Sequence, residues 1–374
     1  MNVNLKPEKQ RTITSTPQVC SAVISDDGRW LVGGGFDGTL RRWDLDWQPL
    51  EPPLETEAPP RRGKPSEPAV AEPTVELHEG HHGWIEALAM RDDMLFSADS
   101  WGQLRRWRCG EQLELDWSVE QAHDGWLRAL AFSPDGRTIA TCGRDGAARI
   151  WSTAAGVAPE KPSRSWQHDE DLYSLAFHTD GRLFIGDAKG GIHEWAPHDD
   201  APRRRLNASA LHKYDRIQDV GGVKTLAIDG DGKRLVAAGA APDHGGTVQG
   251  VPLLLFFDLE TGKLEHRCEL GATKDGYVHA LSQHPEGFWM AVTCGTPGTG
   301  QLLFVAPDAD EPFFRDTKVA NPHSLHFCST RGLLCLTTTN KGSNGNGRRL
   351  DANGEYACNS TPIEFFRLVE QADT

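Results

Sequence analysis

The chain of 374 residues is short of positive charge: 39 lysines and arginines face 53 aspartates and glutamates, a formal net charge of −14. A general binder of nucleic acid or anionic membrane needs the opposite field, which sets those two classes aside. Long apolar runs are missing as well. Nothing approaches the roughly 20 consecutive apolar residues that cross a bilayer, and the opening MNVNLKPEKQ has no apolar core of the export type, so a soluble, cytoplasmic protein is expected. The eight cysteines are scattered, with no C-x-x-C pair and no spacing suited to tetrahedral zinc. They read as reduced apolar fillers, and no metal or cofactor is expected. The apolar fraction, 38%, is low for a compact fold, yet 12 Trp and 14 Phe supply enough large apolar area to exclude wholesale disorder.

What the chain does have is an internal repeat. Residues 123–151, HDGWLRALAFSPDGRTIATCGRDGAARIW, alternate apolar and polar residues, turn at Ser133-Pro134-Asp135-Gly136, alternate again, turn at Asp145-Gly146 and end in a third run at Trp151. Period-2 alternation cut by Pro-Asp-Gly and Asp-Gly describes an antiparallel meander. The first turn recurs as Ser25-Asp26-Asp27-Gly28, Thr179-Asp180-Gly181, Gly230-Asp231-Gly232, His284-Pro285-Glu286-Gly287 and Thr330-Arg331-Gly332. The aromatic ending the third run recurs as Trp43, Trp107, Trp151, Trp195, Phe257, Phe304 and Phe366. Seven units result, some close to the 40–45 residues typical of a four-stranded propeller blade and the others lengthened by inserted loops.

On these residues the chain resembles the WD40-repeat family of β-propellers. The resemblance implies an all-β fold: seven four-stranded antiparallel blades around a central channel, spanning residues 1–368 as one domain. Little chain remains after Phe366 for another strand, whereas Gln10-Arg11-Thr12-Ile13-Thr14 has no other partner. The N-terminal strand is therefore expected to complete the last blade, with 369–374 a disordered tail. The resemblance also implies a buried hydrogen-bond chain of His, Ser or Thr, Asp and Trp in each blade. Unit three carries all four as His123, Thr141, Asp145 and Trp151. Unit two has His81, Ser97 and Trp107 but Trp101 in the aspartate's place, and unit four keeps His168 and Trp195 with Ile185 and Lys189 in the other two.

Two chemical motifs sit in the wrong context. His78-Glu79-Gly80-His81-His82 fits H-E-x-x-H but lies at a turn between glycines rather than on the helix that a zinc protease requires. Gly33 to Gly38 fits G-x-G-x-x-G but leads into a strand, leaving no helix N-terminus for a pyrophosphate.

More informative is the residue preceding each unit's first strand, at the channel mouth: Gln18, Trp84, Trp126, Asp171, Gly222, Tyr277 and Pro322. Aromatic rings at equivalent solvent-facing loops are costly to expose, and such rings anchor partners with little loss of rotamer entropy. Two residues further on stand Glu86, Arg128, Lys224 and His279, with Trp101 and Arg144 on neighbouring turns of the same face. The reading is a non-enzymatic interaction scaffold. Trp84, Trp126, Tyr277 and Trp101 would grip a protein or peptide segment, the net charge favouring a basic one, with polar selection by Arg128, Arg144, Glu86, Lys224 and His279. The alternative is a propeller hydrolase or lactonase using His82, His168, His279 or Asp171 in the channel mouth. Two insertions complete the pattern. The proline-rich 48–73 is expected on the face away from the mouth, and the Gly/Asn-rich 338–361 on the mouth side, where 209–220 and 239–251 should also rise.

Overall fold

The structure, a computed structural model, describes residues 3–46, 73–196, 198–243, 250–295, 298–339, 348–350 and 356–370. Nearly all of the proline-rich insertion, much of 338–361 and residues 371–374 lie outside these.

Seven four-stranded antiparallel sheets are arranged as the blades of a propeller. Their innermost strands are Val19–Ile24, Ile85–Arg91, Leu127–Phe132, Leu172–Phe177, Thr225–Ile228, Tyr277–Gln283 and Ser324–Cys328. Blades one to six each use four strands met in chain order. The seventh takes its outer strand from the other end of the chain: Leu5–Ser15 pairs antiparallel with Thr361–Glu370, Ile13 opposite Ile363. This strand runs further than the sequence suggested, and Val369 and Glu370, expected in the tail, pair with Lys6 and Leu5. Blades one and seven are also joined directly. The Ala22 amide donates to Ser324 Oγ at 3.2 Å and the Val19 amide to Thr361 Oγ1 at 2.9 Å.

Both faces of each blade are buried, so alternate residues of one strand pack against different neighbours. Trp107 and Leu95 of blade two meet Val32 and Leu40 of blade one, and Trp151 and Ile139 of blade three meet Phe96 and Trp117 of blade two. In these blades the terminal aromatic packs backwards onto the preceding blade. Blade six departs from the expected register. Trp289, opposite Val305, packs back onto Val236 and Phe256, whereas Phe304 faces forward against Leu334 and Phe366. Trp289 and Val305 form the cross-strand pair that Leu31 and Trp43 form in blade one. A one-residue slip in a period-2 strand exchanges the two faces, so Val305 occupies the place assigned to Phe304.

The glycine of the second turn has a packing reason. Gly102 has φ +90, and a Cβ there would lie 2.2 Å from the carbonyl oxygen of His123 on the next blade. The His123 amide donates back to Gly102 O at 3.1 Å, and His168 does the same to Gly146 at 2.8 Å. Turn glycine and following histidine form one joint between blades.

Candidate protein-interaction face

In blade three, His123 Nε2 lies 2.7 Å from Thr141 Oγ1 and Nδ1 2.9 Å from Asp145 Oδ1, while the Trp151 indole N–H donates to Thr141 Oγ1 at 2.9 Å. The Arg149 guanidinium joins the same cluster, its Nη1 lying 2.7 Å from both His123 Nδ1 and Asp145 Oδ2. Burial lowers the His123 pKa, and the Asp145 contact only partly opposes this.

Blade two corrects the sequence reading. Trp101 does stand in the aspartate's place, but Asp99, two residues earlier and fully buried, supplies the carboxylate. It lies 3.2 Å from His81 Nδ1, and His81 Nε2 reaches Ser97 Oγ at 2.6 Å, which also accepts from Trp107 at 2.8 Å. Asp99 accepts four backbone N–H bonds besides, from His82, Gly83, Trp101 and Gln103. Burial alone would raise its pKa; these donors outweigh burial and hold it at about 2. The substitution frees Trp101, 69% exposed, to project from the turn.

Blade four uses the same relocated carboxylate differently. Asp187 takes His193 Nε2 at 2.9 Å, and with isoleucine at 185 no hydroxyl bridges His168 to Trp195. Both His168 Nε2 and Trp195 Nε1 are buried without a hydrogen-bond partner. Burial, helped by His193, pushes His168 down to about 4.

The other histidines of the His78–His82 stretch are likewise separated. His78 pairs with Glu76 at 2.6 Å and His82 with Glu120 at 3.1 Å, so three rings point at three different carboxylates. Among the described residues no three His, Cys, Asp or Glu side chains gather as a metal site.

At the channel mouth, side chains from all seven blades form a nearly continuous ring. Phe36 meets Trp84 edge-on at 5.3 Å, and Trp84 meets Trp126 at 5.8 Å. The Arg128 guanidinium lies 4.7 Å from the Trp126 ring and 4.6 Å from Tyr173, and Lys224 Nζ lies 3.7 Å from Tyr173. On the far side Tyr277 stacks on His279 at 5.5 Å, His279 meets His323 at 6.0 Å, and His323 returns to Phe36 at 6.3 Å. Gln18 is bonded to His323 at 2.8 Å and Thr339 at 3.0 Å. Of the anchors named from sequence, Trp84 and Trp101 are exposed, whereas Trp126 and Tyr277 are half-buried by their neighbours. A groove of about 460 Å³ opens between Phe36, Gly83, Trp84, Trp101 and Trp126.

The polar residues of the mouth carry perturbed acidities. Burial raises Glu86 despite the nearby Arg128 and the Trp126 N–H, which stands beside its carboxyl without hydrogen-bond geometry. Burial, reinforced by Arg128, lowers Lys224 to about 8. Burial and Lys224 lower His279 to about 4. Asp171 approaches Arg128 no closer than 3.9 Å, and Arg144 is exposed on its turn.

Phe36 and His323 escaped the sequence reading because they sit one turn and one residue away from the aligned column. The hairpin His212–Asp215/Gln218–Gly221 rises beside the mouth, turning on Arg216 at φ +49 and Ile217 at φ +64. Isoleucine in the left-handed region is strained, and this one is 92% exposed. Next to it, Arg234–Pro242 and Gly250–Asp258 extend as a long hairpin on the same side.

A family profile for the WD domain, G-beta repeat, matches residues 7–44 and 117–152, the closing strand with blade one and the span centred on blade three. Kinesin-like protein KIF21B of Homo sapiens is 32% identical over 80 residues, 21% of this chain and 5% of that protein. Periodic tryptophan protein 2 homolog of Dictyostelium discoideum is 36% identical over 63 residues, 17% of this chain and 7% of that one. The chain therefore matches only a small fraction of the length of these relatives. Those matched repeats and the seven closed blades together support a WD40-repeat β-propeller.

Proposed function

We propose that this propeller is a non-enzymatic, cytoplasmic scaffold that grips a segment of a partner protein at the channel mouth. The observation that carries this reading is the open groove between Phe36, Trp84, Trp101 and Trp126, two of whose indoles are exposed at a place where no packing of the propeller requires it. Buried aromatic anchors of this kind dominate binding energy at interfaces. The net charge of −14 steers basic surfaces toward the molecule at long range, while the groups in the mouth select what enters. The buried free cysteines suit a reducing compartment. A catalytic reading needs an acid–base pair within hydrogen-bond reach, and among the described residues no hydrogen bond joins any two of His82, His168, His279 and Asp171.

The test is affinity capture with wild type and with Trp84→Ala/Trp126→Ala, followed by binding measurements on the purified partner. The double variant should bind about 30-fold more weakly or worse, each indole being worth at least ~1 kcal/mol, with its melting curve little changed. Identical captures would move the working surface elsewhere.

A further inference from the structure

Elsewhere in the protein arginines are held by carboxylates, as Arg41 is by Asp37 at 2.6 Å and Arg182 by Glu194 at 2.8 Å, or by backbone carbonyls, as Arg91 is by Ser133 O at 2.9 Å. The Tyr173 side of the mouth differs. Arg128 and Lys224 both lie against the Tyr173 ring, and Arg144 is near enough to act on its phenol. None of the three cations has a hydrogen-bonded carboxylate among the described residues, and the nearest approach is the 3.9 Å from Arg128 to Asp171. Lys224 is half-buried, and Arg128 is only 23% exposed, with its Nε wholly buried and unpaired. Three cations placed together, two of them partly desolvated, with Asp171 and Glu86 nearby but neither hydrogen-bonded to them, are incompletely compensated and destabilise one another and the fold. Such an arrangement persists where a ligand supplies the missing charge.

We infer that Arg128, Arg144 and Lys224 receive the carboxylates of an acidic segment of the partner, on the blade three to five side of the mouth, while the neighbouring aromatic groove takes its apolar side chains. This rests on the mouth being the gripping face and names the chemistry of what is gripped. The local charge thus selects the opposite sign to the one the net charge would steer in. Carboxylates suit the site better than phosphates, because Glu86 and Asp171 stand within the same opening and repel a doubly charged group more strongly. The depressed Lys224 agrees with a cation awaiting its partner: a bound carboxylate favours the protonated amine and should raise its pKa.

The test uses the full chain and four fluorescent peptides: tetraglutamate, tetraglutamine, tetralysine and tetraphosphoserine. Tetraglutamate should bind saturably and raise the Lys224 pKa by about a unit, followed by NMR through the isotope-labelled lysine Cε methylene signals. Arg144→Gln, on an exposed turn that leaves folding intact, and Lys224→Gln should each weaken it about tenfold, whereas tetraglutamine should not bind. Equal binding of tetraglutamine, tighter binding of tetralysine, or tighter binding of tetraphosphoserine would each overturn the assignment. Its failure is separable from failure of the scaffold reading. If Trp84→Ala/Trp126→Ala abolishes partner capture while tetraglutamate leaves Lys224 unmoved, the grip stands and the acid receptor falls; the converse result drops the grip and keeps the receptor.

Discussion

Blades three and four descend from one sequence pattern and keep the same histidine and tryptophan, yet they treat them oppositely. In blade three every polar atom of the chain from Asp145 to Trp151 is hydrogen-bonded. In blade four His168 Nε2 and Trp195 Nε1 are buried and unpaired, because isoleucine replaces the bridging hydroxyl and Asp187 has been taken by His193. An aromatic surrounding keeps the fold there instead: Trp166 stacks on Trp195 at 4.8 Å, and His168 packs against both His193 and Trp195. The same residue types are therefore a specific polar connection in one blade and packing material in the next. Satisfaction of hydrogen bonds, not residue identity, separates the two roles.

The largest test of what holds the ring acts on neither blade. Deleting residues 1–14 removes the outer strand of blade seven together with Leu5 and Ile13, both buried, and should cost on the order of 5 kcal/mol, read as a lower melting temperature. An unchanged curve would mean that the blade does not need its N-terminal strand. Next comes the comparison itself. His123→Ala in blade three should cost roughly 2–4 kcal/mol, and Asp99→Ala in blade two a similar amount, since each strands buried partners. His168→Phe, which exchanges an unpaired imidazole for an apolar ring, should stay within about 1 kcal/mol of wild type in denaturant titrations. Equal losses at His123 and His168 would erase the distinction between the blades.

Taken per group and per pH unit, the smallest expected loss is from pH dependence. Burial lowers His168, His279 and His326 to about 4 and His323 to about 3, with neighbouring histidines adding to the effect at His168 and His323. Each folded-state value lies below that of the unfolded chain, near 6.5, so on acidification the unfolded chain takes up its protons first. Stability should be complete above about pH 6.5 and decline as pH falls toward about 4, by about 1.4 kcal/mol per pH unit for each buried histidine. Asp99, held at about 2, adds no loss of its own until pH drops below the ordinary aspartate value. A melting temperature flat from pH 7 to 4.5 would refute the burial of these rings.

Much of this was legible in the chain because it is written locally. The Ser133–Gly136 type of turn, the period-2 strands and the Trp43, Trp107, Trp151 series depend on residues a few positions apart, and they led to seven blades and to the right closing strand. The blade-three network was legible too, because all four residues kept their usual spacing. Asp99 was not, since nothing in the sequence shows that a carboxylate two residues early can reach the same imidazole. Blade six failed for a related reason: the sequence does not show which of the adjacent Phe304 and Val305 faces the preceding blade, and the pairing of Trp289 with Val305 turned Phe304 forward. Trp84 and Trp126 could be placed at the mouth by alignment, but Phe36 and His323, from a turn of blade one and the edge of blade seven, enter the ring only through space.

The sequence by itself determined the repeat, the blade count and the class of fold, because hydrophobic alternation and turn chemistry act over a handful of residues. Only the tertiary structure decided which carboxylate serves which histidine, which aromatics stay exposed, and which cations are left without a counter-charge. Those outcomes depend on distances between blades far apart in the chain, and a separation of a few ångströms decides whether a charge is paired or free.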